Sequence, residues 1–186
     1  MSIERAIATH GWMSERELAY LAFLTQKSYF IAEIGTWRGR SARAIADNTP
    51  GYVLCVDTWQ DDAYGAVFPG DAPDLCQHKD WLWNEFNCNL EDKIGSVITP
   101  LRMNSLQGAA EATVRGLSFD MIFIDAGHTY TNVVEDIMAW RPLLRDGGVL
   151  CGHDYIDAHH PDVVKAVNDY IPTFRVVGTI WTTEGA

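Results

Sequence analysis

The chain has 186 residues, with 25 acidic and 14 basic side chains and a formal net charge of −11. That length predicts a single domain, which at this size folds without disulfide or metal crosslinks. The acidic balance argues against nucleic acid as a partner, because proteins that bind nucleic acid carry basic surfaces. No apolar run approaches the roughly 20 residues of a membrane span, and the first residues lack the pattern of a secretory signal. We therefore expect a cytoplasmic protein without membrane association.

The four cysteines do not form the close pairs that zinc sites and disulfide frameworks require. Cys55 and Cys151 lie in apolar runs, which predicts that both are small buried side chains. The cysteine pattern therefore gives no sign of a secreted, disulfide-linked protein.

The first half of the chain alternates between helix and strand patterns. Ser14 and Glu17 fit a capping box, in which the serine side chain accepts a backbone N–H and the glutamate reaches back, so a helix is predicted to begin there. Short apolar runs at 29–34 and 52–57 predict two buried strands, with a helix from 39 to 46 between them.

Residues 58–93 break this alternation and form a predicted insertion. They are rich in Asp, Trp, Gly and Pro, with a short helix expected at 81–90. Nine acidic residues and one lysine lie between 57 and 92, so this segment carries most of the net negative charge. Two hypotheses stay open. The segment is a solvated surface loop, or it is an acidic and aromatic lid suited to a cationic or sugar-like small molecule.

The second half of the chain continues the alternation. The predicted elements are a strand at 97–102, a helix at 105–115, a strand at 119–125, a helix at 131–144, a turn at 146–148, a strand at 149–152, a helix beginning at Pro161, and one or two strands within 174–182. In the helix at 131–144, one side is predicted to carry Val134, Ile137, Met138 and Arg141. In the helix that begins at Pro161, one face is predicted to carry Val164, Val167 and Ile171. Strands that are apolar on both faces and alternate with helices are typical of an α/β fold, a parallel sheet covered by helices.

A candidate ligand site lies at the carboxyl ends of the predicted strands, where open α/β sheets bind ligands. A loop from Gly35 to Gly39 follows the first strand, Asp57 ends the second, and Asn104 and Ser105 follow the third. Glycine permits a tight turn and close ligand approach, and a carboxylate at a strand end can accept hydrogen bonds from ribose hydroxyls. The pattern favours an adenosine-type pocket over the alternative, a plain turn in which Asp57 is only a cap.

The spacing of the glycines narrows the ligand class. The loop reads GxxxG, with Trp37 and Arg38 where a dinucleotide-binding loop has its middle glycine. A pyrophosphate needs that close backbone approach and a free helix N-terminus, so this loop favours a nucleoside without phosphates.

Residues 33–39, EIGTWRG, resemble the first motif of class I S-adenosylmethionine-dependent methyltransferases. Residues 124–155 are similar to a subgroup with a D-x-x-H-x-Y and GHDY signature, near the catechol-type and macrolide-sugar O-methyltransferases. The resemblance runs from about residue 29 to 172. It implies one Rossmann-like methyltransferase domain over 1–186, with a mostly parallel seven-stranded sheet whose last strand is antiparallel and a lid at 58–93.

The resemblance also implies roles for individual residues. Glu33 and the loop at Gly35 would hold the methionine moiety, Asp57 the ribose, and Asn104 and Ser105 the adenine edge. The implied cofactor-binding set is Glu33, Gly35, Thr36, Trp37, Gly39, Ser41, Asp57, Thr58, Trp59, Asn104, Ser105, Asp125 and Ala126.

A possible metal site follows from the ends of two neighbouring strands. Asp125 ends the fourth strand, and His153 and Asp154 end the fifth, so their side chains are expected to converge. Two carboxylates and an imidazole can hold Mg²⁺ or Mn²⁺, which would clamp acceptor oxygens and lower the pKa of a hydroxyl. Relatives carry an acid where this chain has His153. A second hypothesis therefore stays open, in which no metal binds and His153 or Asp154 acts as a base or contacts the acceptor.

His128 lies where relatives carry a general base, and a neutral imidazole can take a hydroxyl proton at physiological pH. The predicted catalytic set is therefore Asp125, His128 and Asp154. The alternative for His128 is a loop histidine that packs on Tyr130.

The leading hypothesis is S-adenosylmethionine-dependent O-methylation of a small hydroxylated acceptor, sugar-like, phenolic or a natural product. One alternative, motivated by Asp57, is a nicotinamide-dependent oxidoreductase. Another is a non-catalytic partner subunit that binds S-adenosylmethionine. Relatives commonly form dimers, so a homodimer is the implied assembly.

Overall fold

A computed structural model describes residues 1–60, 79–156 and 158–184. Its strands are β1 Phe30–Ile34, β2 Tyr52–Asp57, β3 Ile98–Arg102, β4 Phe119–Ile124, β5 Leu144–Gly152, β6 Arg175–Val177 and β7 Ile180–Thr182. Its helices are α1 Glu4–Ala8, α2 Glu15–Thr25, α3 Arg40–Ala46, α4 Trp81–Asn89, α5 Ser105–Val114, α6 Tyr130–Trp140 and α7 Pro161–Tyr170. The predicted alternation of strand and helix is therefore confirmed.

The strands form one seven-stranded sheet in the order β3-β2-β1-β4-β5-β7-β6. Strands β1 to β5 pair in parallel, and β7 runs antiparallel to both β5 and β6. This is the Rossmann-like methyltransferase topology that the resemblance implied, including the antiparallel final strand.

Helices cover both faces of the sheet, because the inner strands are apolar on both sides. On one face, Ile31 and Phe123 pack with residues of α2, α3 and α4. On the other, Ala32 and Ile122 pack with residues of α5, α6 and α7. Cys55 and Cys151 are both fully buried in the first of these clusters, as predicted.

The buried face of α6 differs from the predicted one. Its buried residues are Val133, Asp136, Ile137 and Trp140, whereas Met138 is 59% exposed. The large Trp140 indole sets the face, since it packs under α5 beside Gly108 and donates a hydrogen bond to Ser105. At α7 the predicted Val167 and Ile171 are buried, whereas Val163 is buried more deeply than the predicted Val164.

The predicted turn at 146–148 is wrong, because these residues lie within β5. Phe119 pairs with Leu144 but Met121 pairs with Val149, so the register shifts between them. Gly147 has a φ of +74°, a conformation in which glycine has no steric penalty. The glycines therefore form a bulge inside the strand instead of a turn before it.

The described part of the 58–93 insertion joins the core. The predicted short helix is α4, and Trp81, Leu82 and Phe86 on it are buried. The hypothesis of a lid therefore concerns mainly 61–78, which lie outside the described residues. None of the helices in the described ranges is long and apolar enough to cross a membrane.

Candidate active site

The loop between β1 and α3 is shaped by close backbone contacts. Gly35 has a φ of +86°, and a Cβ atom there would lie 2.0 Å from the carbonyl oxygen of Asp125. Only glycine fits, and its absent side chain lets the end of β4 pass directly beside the loop. Trp37 is also left-handed, with a φ of +48°. This loop therefore sets the backbone position of Asp125.

Asp57, at the end of β2, holds this loop in place. One carboxylate oxygen accepts the backbone N–H of Trp37 at 2.8 Å, and the other accepts that of Trp59 at 2.8 Å. Burial raises the pKa of Asp57, although these backbone hydrogen bonds oppose the shift. The predicted contact of Asp57 with ribose stays a prediction, and in the structure each oxygen already has one backbone partner.

A cavity of about 610 Å³ opens at the carboxyl ends of the strands. Its lining residues are Gly11, Trp12, Met13, Glu17, Gly35, Thr36, Trp37, Arg40, Ser41, Asp125, Ala126, His128, His153, Asp154, Ile156, His159, His160 and Thr179. That volume suits a small-molecule ligand, and the position agrees with the binding crevice of open α/β sheets.

The cavity brings together part of the predicted cofactor-binding set. Six members line it, namely Gly35, Thr36, Trp37, Ser41, Asp125 and Ala126. The described lining does not include Glu33, Gly39, Asp57, Thr58, Trp59, Asn104 or Ser105. The cavity therefore lies on the side where the methionine moiety is predicted, away from the predicted adenine edge.

The side chains of Asn104 and Ser105 have structural partners. Asn104 caps α5, accepting the backbone N–H of Gln107 at 2.9 Å. The Ser105 hydroxyl accepts the indole N–H of Trp140 at 2.9 Å and lowers the pKa of Asp136 by hydrogen bonding, against the stronger effect of burial. The contacts of Ser105 connect α5 to α6. An adenine contact by Asn104 or Ser105 would be made in addition to these partners.

Glu33 lies inside β1 with no exposed surface. Burial raises its pKa to about 8, although hydrogen bonding by Ser41 opposes the shift. The Cys55 thiol donates to its Oε2 atom at 3.7 Å. Glu33 is therefore largely protonated at neutral pH.

The side chains of His128 and His153 converge on Asp154. His128 Nε2 lies 2.8 Å from Asp154 Oδ2, and His153 Nδ1 lies 3.1 Å from Asp154 Oδ1. Burial alone would raise the pKa of Asp154, but the hydrogen bonds from both histidines hold it well below its usual range. The hydrogen bond to Asp154 in turn raises the pKa of His128. The structure thus places the predicted base against an ionised carboxylate.

His153 is held from both sides. Its Nε2 atom lies 2.9 Å from the hydroxyl of Thr179 and 3.6 Å from Glu17 Oε1. The Thr179 hydroxyl donates to Glu17, so it must accept the proton on His153 Nε2. Burial alone would lower the pKa of His153, but Asp125, Asp154 and Glu17 raise it to about 11. A protonated His153 is a poor base, which favours His128 for that role.

Asp125 completes this group at the end of β4. Its Oδ1 atom lies 3.8 Å from His153 Nδ1. Burial raises its pKa to about 6, although the charge on His153 opposes the shift. At neutral pH the carboxylates of Glu17, Asp125 and Asp154 outnumber the protonated His153, so this wall of the cavity is net negative and favours a cationic ligand.

No pattern in the sequence pointed to a site role for Glu17, Thr179 or Trp12. Glu17 was predicted only as a helix cap, and its contact with Thr179 joins residues 162 positions apart. Trp12 stacks on Trp37, with ring centroids 4.4 Å apart. The segment that carries Trp12 is fixed by Arg40, which donates to the carbonyl groups of Ile7, Thr9 and Met13.

Comparison with known proteins shows the family of this chain. Residues 32–155 match the family model described as "Methyltransferase domain". The chain belongs to this family, and it is an S-adenosylmethionine-dependent methyltransferase. That membership supports methyl transfer over the nicotinamide-dependent oxidoreductase. A search of curated proteins gave no match.

Solved structures share the fold. A candidate O-methyltransferase from Klebsiella pneumoniae is 21% identical, with a TM-score of 0.67 over 97% of this chain and 84% of that one. An O-methyltransferase from Bacillus cereus in complex with S-adenosylhomocysteine (SAH) is 18% identical, with a TM-score of 0.66 over 96% and 86%. The TDP-rhamnose 3′-O-methyltransferase of calicheamicin biosynthesis is 13% identical, with a TM-score of 0.60 over 89% and 75%. At sequence identities of 21% and below, these comparisons show a shared fold only.

Proposed function

We propose that this methyltransferase acts on a hydroxyl oxygen of a small acceptor, with His128 as the general base. The observation that carries the proposal is the 2.8 Å contact between His128 Nε2 and Asp154 Oδ2 at the wall of the cavity. A base fixed by a carboxylate beside a small-molecule cavity suits the removal of a hydroxyl proton.

Proton transfer follows from the tautomer that Asp154 selects. With the Nε2 proton of His128 donated to Asp154, the lone pair is on Nδ1, which can accept the proton of the acceptor hydroxyl. When bound, S-adenosylmethionine would supply the methyl group from its sulfonium, and SAH would leave. Asp154 then stabilises the imidazolium that remains on His128.

The proposed cofactor contacts use the loop after β1. Gly35, Thr36, Trp37 and Ser41 line one side of the cavity, where the methionine moiety would lie. Asp57 at the base of the loop would accept the ribose hydroxyls. The acidic wall around Asp125 would stabilise the positive sulfonium by simple charge attraction.

We place the acceptor among sugar-like, phenolic or other natural-product hydroxyl compounds. The D-x-x-H-x-Y and GHDY signature at 125–155 supports a subgroup whose relatives modify such molecules. The cavity volume of about 610 Å³ supports a small molecule. A cytoplasmic location and a homodimer remain part of this proposal.

A metal-assisted variant is the second candidate. Ligand atoms of Asp125, His153 and Asp154 all lie within 4.8 Å of one another. Thr179 holds the Nε2 side of His153, which leaves Nδ1 facing the two carboxylates, as a second-shell contact does for a metal-binding histidine. These residues therefore fit Mg²⁺ or Mn²⁺, provided that His153 loses its Nδ1 proton. A bound ion would supply Lewis-acid stabilisation of an acceptor oxygen.

The experiment is an assay of SAH release from S-adenosylmethionine with a panel of phenols and sugars. We expect a subset of acceptors to react, and His128→Asn to lower kcat by about 10²–10⁴-fold. The matched control is His159→Asn, a cavity histidine to which no role is assigned. Addition of EDTA separates the two candidates, because only the metal-assisted variant loses activity. Equal rates for wild type and His128→Asn would overturn the role of His128.

A further inference from the structure

A second group of possible metal ligands lies at the cavity wall. It consists of His128, Asp154 and His160, whose ligand atoms all lie within 4.8 Å of one another. His128 Nε2 is 2.8 Å from Asp154 Oδ2, and His160 Nε2 is 3.8 Å from Asp154 Oδ1. The two imidazole rings are tilted by 42° with their centroids 4.5 Å apart. This cluster, here called the His2Asp cluster, shares only Asp154 with the oxygen-rich set around Asp125.

The distances within the His2Asp cluster suit a small ion. Two ligands that each lie about 2.0–2.2 Å from a tetrahedral ion are roughly 3.3 Å apart. The imidazole nitrogens lie 2.8 Å from Asp154 Oδ2 and 3.8 Å from Asp154 Oδ1, and one ligand atom from each of the three residues lies within 4.8 Å of the other two. Side-chain shifts of up to about 1.5 Å would therefore bring the three ligand atoms to the spacing around a tetrahedral ion.

The backbone holds the His2Asp cluster in place. Asp154 has a φ of +60°, a left-handed conformation that a residue with a side chain adopts only when its surroundings enforce it. The backbone N–H of His160 donates to the carbonyl of Ile156 at 2.8 Å, just before α7 begins. The side chains of His128 and His160 remain 45% and 30% exposed, so an ion can enter from solvent.

We propose that His128, Asp154 and His160 bind a divalent transition-metal ion of the Zn²⁺ or Co²⁺ type. Two imidazoles and one carboxylate favour such ions over Mg²⁺, which prefers oxygen ligands. Three protein ligands leave a fourth position for a water molecule or another oxygen ligand. The ion replaces the Nε2 proton of His128, so the Nδ1 atom must then carry the ring proton. Ion binding and proton acceptance by His128 therefore exclude each other.

The test is a metal titration of the tag-free, full-length chain after treatment with EDTA. Visible absorption reports Co²⁺, and calorimetry reports Zn²⁺. We expect one ion per chain, and a loss of Zn²⁺ affinity of at least about 10-fold in both His160→Ala and His160→Gln. The neighbouring His159→Ala, also at the cavity, should bind within about twofold of wild type. Because methyl transfer is not measured, the result is independent of the proposed function.

A further variant distinguishes the two sets of ligands. Asp125→Asn removes a ligand of the oxygen-rich set but leaves the His2Asp cluster intact, so it should bind Zn²⁺ like wild type. The proposal is overturned if wild type binds no Zn²⁺ or Co²⁺, if either His160 variant binds like wild type, or if Asp125→Asn weakens binding as much as His160→Ala does.

Discussion

Glu17 Oε1 lies 3.6 Å from His153 Nε2, with the Thr179 hydroxyl hydrogen-bonded to both. This relationship connects the start of α2 to the turn between β6 and β7 and to the end of β5. Glu17 Oε2 in turn accepts the backbone N–H and the hydroxyl of Ser14. One carboxylate therefore serves as a helix cap and also orients a histidine of the cavity.

The substitution Glu17→Gln should lower the free energy of unfolding by more than the loss of a helix cap alone would. The amide keeps the size of the side chain but loses the charge that faces His153, and one of its polar atoms can no longer accept hydrogen bonds. We expect the free energy of unfolding to fall by about 2–3 kcal/mol, because hydrogen bonds to charged groups are worth more than neutral ones. Urea unfolding at pH 7 measures this. Glu15→Gln, an exposed residue on the same helix turn, should change stability by less than about 0.5 kcal/mol. Equal effects of the two variants would show that the Glu17 carboxylate stabilises the fold neither as a cap nor through its contacts with Thr179 and His153.

Substitution of Asp92 by Asn should destabilise the chain in a pH-dependent way. Hydrogen bonds from Arg43 and then Arg5 hold the pKa of Asp92 well below its usual range. The contribution of Asp92 is therefore fully present above about pH 4 and is lost as pH falls through the lowered pKa. The Arg43 side chain is 1% exposed but Asp92 is 38% exposed, so solvent screening limits the loss to about 1–2 kcal/mol at pH 7.

Chemical unfolding of wild type and Asp92→Asn at pH 7 and pH 3 measures this difference. The gap in unfolding free energy should narrow at the lower pH, because Asp92 becomes protonated in the unfolded chain there while the folded chain keeps it ionised. The control variant Glu91→Gln changes a neighbouring acidic residue. Its free energy of unfolding should not differ from that of wild type in this pH-dependent way. A gap that stays constant with pH would mean that charge pairing is not its source.

Two glycine substitutions separate steric contact from backbone strain. Gly35 and Gly95 both have a positive φ, but a Cβ on Gly35 would meet the carbonyl of Asp125 at 2.0 Å, whereas one on Gly95 would meet nothing within 4 Å. We expect Gly95→Ala to cost about 1–2 kcal/mol from strain alone. Gly35→Ala should cost more than about 3 kcal/mol or prevent folding. Thermal unfolding gives the comparison, and similar melting temperatures for the two variants would argue against the close contact.

The pH dependence of methyl transfer should report the contact between His128 and Asp154. A hydrogen bond to Asp154 raises the pKa of His128, so the protonated, inactive form persists to higher pH than for a free histidine. We expect the rate to rise with pH through that raised pKa. In Asp154→Asn the inflection should move down towards about 6.5, with a lower maximal rate. Glu135→Gln, an exposed change on α6, should leave the profile unchanged. An unshifted inflection in Asp154→Asn would show that Asp154 does not set the pKa of His128.

The sequence predicted those features that depend on local patterns. The capping box at Ser14, the apolar strands and the glycine loop all follow from residues within a few positions of one another. The convergence of Asp125, His153 and Asp154 was also predictable, because neighbouring parallel strands end at the same edge.

Other features depend on contacts between distant parts of the chain. The partner of Glu17 is Thr179, and nothing near either residue signals the other. The face that α6 buries is set by the volume of Trp140 against Gly108, not by the periodicity of its smaller residues. The role of Asp57 in holding Trp37 and Trp59 likewise appears only once the loop backbone is known.

Calorimetric titration of the full-length chain with SAH tests the central claim most directly. We predict one molecule bound per chain, no heat of binding with NAD⁺, and weaker SAH binding in a Ser41→Ala variant at the cavity wall. Absence of SAH binding, or binding of NAD⁺ in its place, would contradict the assignment of this cavity to the methyl donor.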